Sequence, residues 1–85
     1  MAYNVYIIKS EVDDSFYIGF TSDIEKRMKY HNSGKSRYTS RKMPWKLVYT
    51  EEFVLKKDAI KREKFLKAQR NSDFYRRLID KKSID

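Results

Sequence analysis

The segment "NVYIIKSEVDDSFYIGF", Asn4 to Phe20, decides the fold. It holds two apolar runs, Asn4 to Ile8 and Phe16 to Phe20, each carrying a tyrosine. Both are rich in Val, Ile, Tyr and Phe, which suit a pleated, half-buried surface, so Tyr3 to Lys9 and Ser15 to Phe20 read as strands. Between them "SEVDDS" is polar and turn-forming, and the natural reading is an antiparallel hairpin. Side chains alternate along a strand, so Tyr6 shares a face with Asn4 and Ile8, and Tyr17 shares one with Gly19. A connecting loop of even length puts both tyrosines on the same side. Gly19 then has two readings: it leaves room beside Tyr17 for a bulky backbone such as a phosphodiester, or it marks a bulge.

Working outward, Ser22 reads as a helix N-cap, with Glu25 three residues on completing a capping box. That helix is expected to run to about Asn32 and to stop at "NSG", which ends at Gly34. A basic loop, "KSRYTSRKMPWK", follows and holds the only proline. "KLVYTEEF", Lys46 to Phe53, reads as a third strand. A second helix is expected over about Lys56 to Gln69, and a last one, behind Asn71 and Ser72 as breaker and cap, through Ile79. The order ββαβαα predicts an α+β fold, a three-stranded antiparallel sheet flanked by helices. One domain over 1–80 is expected, with a short charged tail at 81–85.

Composition narrows the chemistry. Lys and Arg number 20 against 12 Asp and Glu in 85 residues, a net charge of +8. That excess favours a polyanionic partner, because phosphate contacts release condensed counterions. With no cysteine and one histidine, disulfides, thiolate zinc and multi-histidine metal sites are excluded. No apolar run approaches the roughly 20 residues that span a bilayer, and no signal peptide is expected at the N-terminus, where Asn4 and Lys9 bracket an apolar run that is too short. A cytoplasmic setting without membrane attachment is therefore expected. A chain this short buries little surface, so a site should be a shallow groove.

Charged residues in apolar slots mark that groove. At 100° per residue, Ile24 and Met28 define the inward stripe of the first helix, and Arg27 and His31 project along it. The plainer alternative is an arginine snorkelling from the edge of a core face beside a half-buried histidine. On the second helix Leu55, Ala59 and Leu66 define a stripe whose missing member is Glu63. A carboxylate there is costly unless it is paired or bound to metal. A buried ion pair with Arg62 or Lys67 is the competing explanation. Three polar groups aimed inward from two helices point to one shared site.

Taken in order, Tyr6 in "NVY", Tyr17 in "YIG", Arg27 and His31 in "RMKYH", and Glu63 in "REKFLK" resemble the GIY-YIG nuclease superfamily. The stretches "YIGFTSDIEKRMKYHNSG", "PWKLVY" and "AIKREKFLK" are similar to those of its small stand-alone members, and the resemblance runs from about Tyr3 to Ile79. It implies a metal-dependent cut of a DNA phosphodiester, in repair or recombination, on branched, damaged or single-stranded DNA. By the same resemblance Glu63 would hold a single divalent ion, Mg²⁺ or Mn²⁺, and Arg27 would stabilise the added negative charge. Tyr6 would help deprotonate the attacking water, which for a phenol of pKa about 10 needs nearby positive charge. Tyr17 would orient water or phosphate, and His31 would take the proton or bind the phosphate. No organic cofactor is implied. The family's asparagine after the glutamate has Asn71 as a counterpart, which equally reads as a helix cap. The arrangement requires that the hairpin put both tyrosine hydroxyls on the same face as Glu63.

DNA would be held by Lys35, Arg37, Arg41, Lys42 and Lys46, in and beside the basic loop, unless that loop is simply solvated. Tyr38 and Trp45 are interleaved with them, so either would stack on a base, although a tryptophan next to Pro44 also reads as a core anchor. Lys56, Lys57, Lys61 and Lys64 read as the wet side of the second helix. The rival function is a non-catalytic nucleic-acid module that keeps the fold. An RRM-type sheet is ruled out, since neither "KFLKAQR" nor "FYIGF" reproduces the RNP1 pattern and the βαββαβ order is missing.

Overall fold

The computed structural model describes residues 2–83. The chain runs β1 (Tyr3–Ser10), β2 (Phe16–Thr21), α1 (Ile24–His31), a 3-10 turn (Thr39–Arg41), β3 (Trp45–Phe53), α2 (Lys56–Gln69) and α3 (Ser72–Ser83). The sheet order is β2-β1-β3 and both pairings are antiparallel. β1 takes the centre because its run from Val5 to Ile8 is apolar on both faces, and all four residues are buried. Strands covered on both sides read as continuous apolar runs rather than alternating ones.

The two faces of β1 feed two cores. Val5 and Ile7, with Ile18 and Tyr49, pack against Ala59, Leu66 and Tyr75 of α2 and α3. Tyr6 and Ile8, with Trp45, Tyr17 and Leu47, pack against Ile24 and Met28 of α1. The sheet therefore lies between α1 on one side and α2 and α3 on the other. Arg62 joins α2 to β3 through its ion pair with Glu51, 2.9 Å from Nε to the carboxylate. The Tyr49 hydroxyl donates to the same carboxylate. That pairing removes Arg62 as a partner for Glu63.

Three local expectations need correction. The N-cap of α1 is Asp23, whose carboxylate accepts the Lys26 amide at 3.0 Å, so the Ser22–Glu25 box does not form. Both residues suit a cap, and the helix starts one residue later than the box implies. Leu55 is no member of the α2 stripe: it is the extended N-cap residue of α2 and stands 49% exposed. The last helix passes Ile79 and ends at Ser83, with Lys81 and Lys82 in its final turn, where positive charge suits the helix dipole. The first part of the expected tail is thus helical, while 84 and 85 lie outside the described residues.

Between α2 and α3, Arg70 takes a left-handed conformation with φ 44°. Asn71 Oδ1 then accepts the amides of Asp73 at 2.9 Å and Phe74 at 3.3 Å. Asn71 is a helix cap. The Tyr75 hydroxyl donates to the Leu66 carbonyl at 2.6 Å, tying α3 to the last turn of α2.

Candidate active site

The hairpin register sets the site. Tyr6 lies opposite Gly19, and Ile8 lies opposite Tyr17. The Ser10 amide donates to the Ser15 carbonyl at 2.8 Å, which leaves the even loop Glu11 to Asp14 between the paired ends. Tyr6 and Tyr17 consequently share the face turned toward α1. A Cβ added at Gly19 would sit 2.5 Å from Tyr6 Oη and 2.7 Å from Cζ. The room at Gly19 is filled by the phenol of Tyr6 and is not open to a phosphodiester, which corrects that expectation.

Tyr6 and His31 are both 2% exposed. Tyr6 Oη lies 2.9 Å from His31 Nε2, and His31 Nδ1 lies 3.2 Å from Thr39 Oγ1. His31 is the last residue of α1, and Arg27 sits one turn earlier on the same helix, half-buried. Arg27 stacks on Tyr30 at 5.7 Å and makes no ion pair with a carboxylate among the described residues. It borders an open hollow shared with Thr21, Ser22, Asp23, Lys26 and Tyr30. The Tyr17 ring meets His31 edge-on at 5.1 Å and lies 5.7 Å from Tyr38.

Electrostatics couple these groups. Burial pushes the Tyr6 phenol far above its usual value, and the Tyr17 hydroxyl and the Glu63 carboxylate add to that push while Arg27 opposes it. His31 is held below its ordinary 6.5, first by burial and then by the Arg27 guanidinium. Tyr6 is therefore a protonated phenol, and its neighbour is a neutral imidazole. The positive charge of Arg27 lowers the Tyr6 value but does not offset the effect of burial.

Glu63 occupies the sheet-facing stripe of α2 between Ala59 and Leu66, and its side chain is 15% exposed. Lys67 pairs with it at 3.3 Å. Ala59 and Leu66 pack on the face of the sheet opposite the two tyrosines. The two tyrosines share one face of the sheet, and the helix that carries Glu63 is anchored on the other by Ala59 and Leu66. The carboxylate still acts on Tyr6 through electrostatics.

Of the expected DNA contacts, Lys35, Arg37, Arg41 and Lys46 are exposed. Lys42 is not free: its ammonium lies 3.2 Å from Asp13 and 3.3 Å from Ser15 Oγ. Arg37, Tyr38, Arg41 and Lys42 border one hollow, to which Lys35 and Lys46 do not contribute. Trp45 is buried and its Nε1 donates to the Thr39 carbonyl at 2.8 Å, so it is a core anchor and not a stacking platform. Tyr38, 53% exposed, remains available for stacking. Lys56, Lys57, Lys61 and Lys64 are exposed along α2.

Sequence reasoning missed Thr39. It is a polar residue in a loop without periodicity, yet it is fully buried against His31. The only sequence signal for it is the nearby anchoring tryptophan.

Comparison with known proteins gives the same architecture. The family model of the GIY-YIG catalytic domain matches residues 2–77. A UPF0213 protein of Clostridium perfringens is 45% identical over 82 residues, covering 94% of this chain and 85% of its own length. One from Streptococcus pneumoniae is 39% identical over 67 residues, 78% of this chain and 67% of that protein. The solution NMR structure of a UPF0213 protein from Bacillus halodurans is similar with a TM-score of 0.62 and 34% identity, covering 99% of this chain and 88% of that one.

Proposed function

We propose that this chain, which belongs to the GIY-YIG family, is a divalent-metal-dependent endonuclease that hydrolyses DNA phosphodiesters in repair or recombination. The observation that carries the reading is the 2.9 Å contact of Tyr6 Oη with His31 Nε2, set within electrostatic reach of Arg27 and Glu63. A protonated phenol is a poor base, but a phenol bound to a neutral imidazole relays a proton. As water attacks phosphorus, its proton passes to Tyr6 Oη and the phenolic proton passes to His31 Nε2. The new P–O bond forms as the bond to the leaving oxygen breaks, and solvent protonates that oxygen. Arg27, which has no carboxylate partner among the described residues, would take the growing negative charge in its planar fork. Tyr17 would orient the water or the phosphate.

The donor set fits a hard cation. Among the described residues no group of three or more His, Cys, Asp or Glu side chains is gathered. Glu63 therefore offers one hard carboxylate oxygen ligand, which suits a single Mg²⁺ or Mn²⁺ that keeps several waters and takes further ligands from substrate phosphate. Such an ion supplies Lewis-acid stabilisation of the phosphoryl oxygens when bound. Lys67, half-exposed on a flexible stem, must release the carboxylate first. Arg37, Arg41 and the exposed Lys35 and Lys46 would position DNA by phosphate contact without reading sequence.

One observation favours the rival, a nucleic-acid module that keeps the fold: Lys67 already neutralises Glu63. Nicking of supercoiled plasmid and branched DNA in Mg²⁺, Mn²⁺ or EDTA, by wild type and Glu63→Ala, separates the two. Metal-dependent nicking that is lost in Glu63→Ala is expected; DNA binding without any nicking establishes the rival. No helix among the described residues is long and apolar enough to cross a membrane.

A further inference from the structure

His31 touches two hydroxyls, and the way it shares its single N–H between them sets the direction of the proton path. A neutral imidazole has one donor nitrogen and one acceptor nitrogen. In one arrangement Nδ1–H donates to Thr39 Oγ1 and the Tyr6 hydroxyl donates to Nε2. In the other, the Thr39 hydroxyl donates to Nδ1 and Nε2–H donates to Tyr6 Oη. The second leaves the phenolic proton buried with no other hydrogen-bond acceptor among the described residues. A phenol is a stronger acid than an aliphatic alcohol and the stronger donor, so stranding its proton is the costlier choice. Both contacts, 2.9 Å and 3.2 Å, lie within hydrogen-bond range in either arrangement, so the choice turns on which hydroxyl proton is stranded.

Thr39 is placed for this task from both ends. It opens the 3-10 turn, its carbonyl accepts Trp45 Nε1 at 2.8 Å, and its side chain is fully buried. Trp45 in turn is fixed by Asn32, whose Oδ1 accepts its amide at 2.7 Å and whose Nδ2 donates to its carbonyl at 3.1 Å. Asn32 directly follows His31. The chain thus clamps the imidazole from behind with a short loop closed on itself, and among the described residues the Thr39 hydroxyl is the one polar group in hydrogen-bond contact with Nδ1.

We propose that Thr39 is a positioning residue: by accepting Nδ1–H it fixes His31 in the tautomer whose Nε2 lone pair receives the Tyr6 proton. Its part in cleavage rests on the nuclease reading; the tautomer itself does not. His31 is the only histidine, so long-range ¹H–¹⁵N correlation spectra of the uniformly labelled full chain show one imidazole. The Nδ1–H form is expected in wild type at neutral pH. Thr39→Val keeps the branched shape and removes the acceptor, and it should move the population toward Nε2–H; Thr39→Ser should restore Nδ1–H. Single-turnover cleavage should fall by about tenfold or more in the valine variant and recover in the serine variant. An Nε2–H wild type overturns the proposal, and so does a valine variant that keeps the wild-type tautomer. Should the valine variant not fold, an Nδ1–H signal in both wild type and Thr39→Ser supports the assignment, and its absence from either overturns it. If wild type cuts no DNA while the tautomer follows residue 39 as stated, the nuclease reading fails and the tautomer assignment stands.

Discussion

Replacing Gly19 by alanine tests whether that position exists for the phenol of Tyr6. The added carbon would lie 2.5 Å from Oη, about 0.9 Å inside the 3.4 Å where contact becomes ordinary. Tyr6 is buried and bound to His31, so its ring cannot swing aside without losing that hydrogen bond. Overpacking of this kind costs about 1–3 kcal/mol. For a domain of this size that lowers Tm by roughly 4–8 °C per kcal/mol. Against a leucine at position 6 the clash is gone, and what remains is the general penalty of glycine inside a strand. Gly19→Ala should then stabilise by about 0.5–1 kcal/mol. Four proteins complete the cycle: wild type, Gly19→Ala, Tyr6→Leu and the double variant, each unfolded in urea. The expected result is a change of sign between backgrounds. An equal destabilisation in both would refute the claim that the glycine accommodates Tyr6 and would place the strain in the strand itself.

Two further outcomes follow from the geometry. His31 has its folded pKa below the unfolded 6.5, so between 6.5 and the folded value the unfolded chain binds more protons and stability falls as pH drops. Because the relay needs neutral imidazole, the acid limb of single-turnover cleavage should also lie below pH 6.5, and a limb above 7 would refute the relay. In the basic loop, Arg37→Ala and Arg41→Ala should each weaken DNA binding and flatten the plot of log K against log salt by about 0.7–0.9 per lost phosphate contact. Lys42→Ala, whose ammonium is held by Asp13 and Ser15, should leave that slope unchanged; a loss equal to that of Arg41 would show that it is drawn onto the phosphates.

The elements were legible because their signals are local. β1 and β2 announce themselves by aromatic and β-branched runs, and α2 matches its expected span from Lys56 to Gln69. Arg27, His31 and Glu63 stood out because each breaks an apolar stripe, and burial of His31 and Glu63 follows from those same stripes. What failed to show is what depends on register across strands. That Gly19 yields to Tyr6 requires knowing that the two lie opposite each other. Asp23 displaced Ser22 as cap because two adjacent residues both suit the role, and one residue of helix phase chooses between them. The layer taken by α2 also lay beyond a stripe-by-stripe reading, since periodicity says which way a helix faces but not which side of the sheet it covers. Lys42 looked interchangeable with Arg41 until the hairpin loop supplied Asp13.

The 3-10 turn carries more than a shape. Thr39 points inward to the imidazole, while Arg41, at the other end of the same turn, and Arg37, two residues before it, face solvent. A polyanion bound by those guanidinium groups would therefore pull on the backbone that seats the histidine's partner, only two residues away from either handle. Recognition and priming would share one lever: a duplex that seats badly on the arginines would loosen the threonine behind His31, and discrimination between substrates would be felt in turnover as well as in affinity.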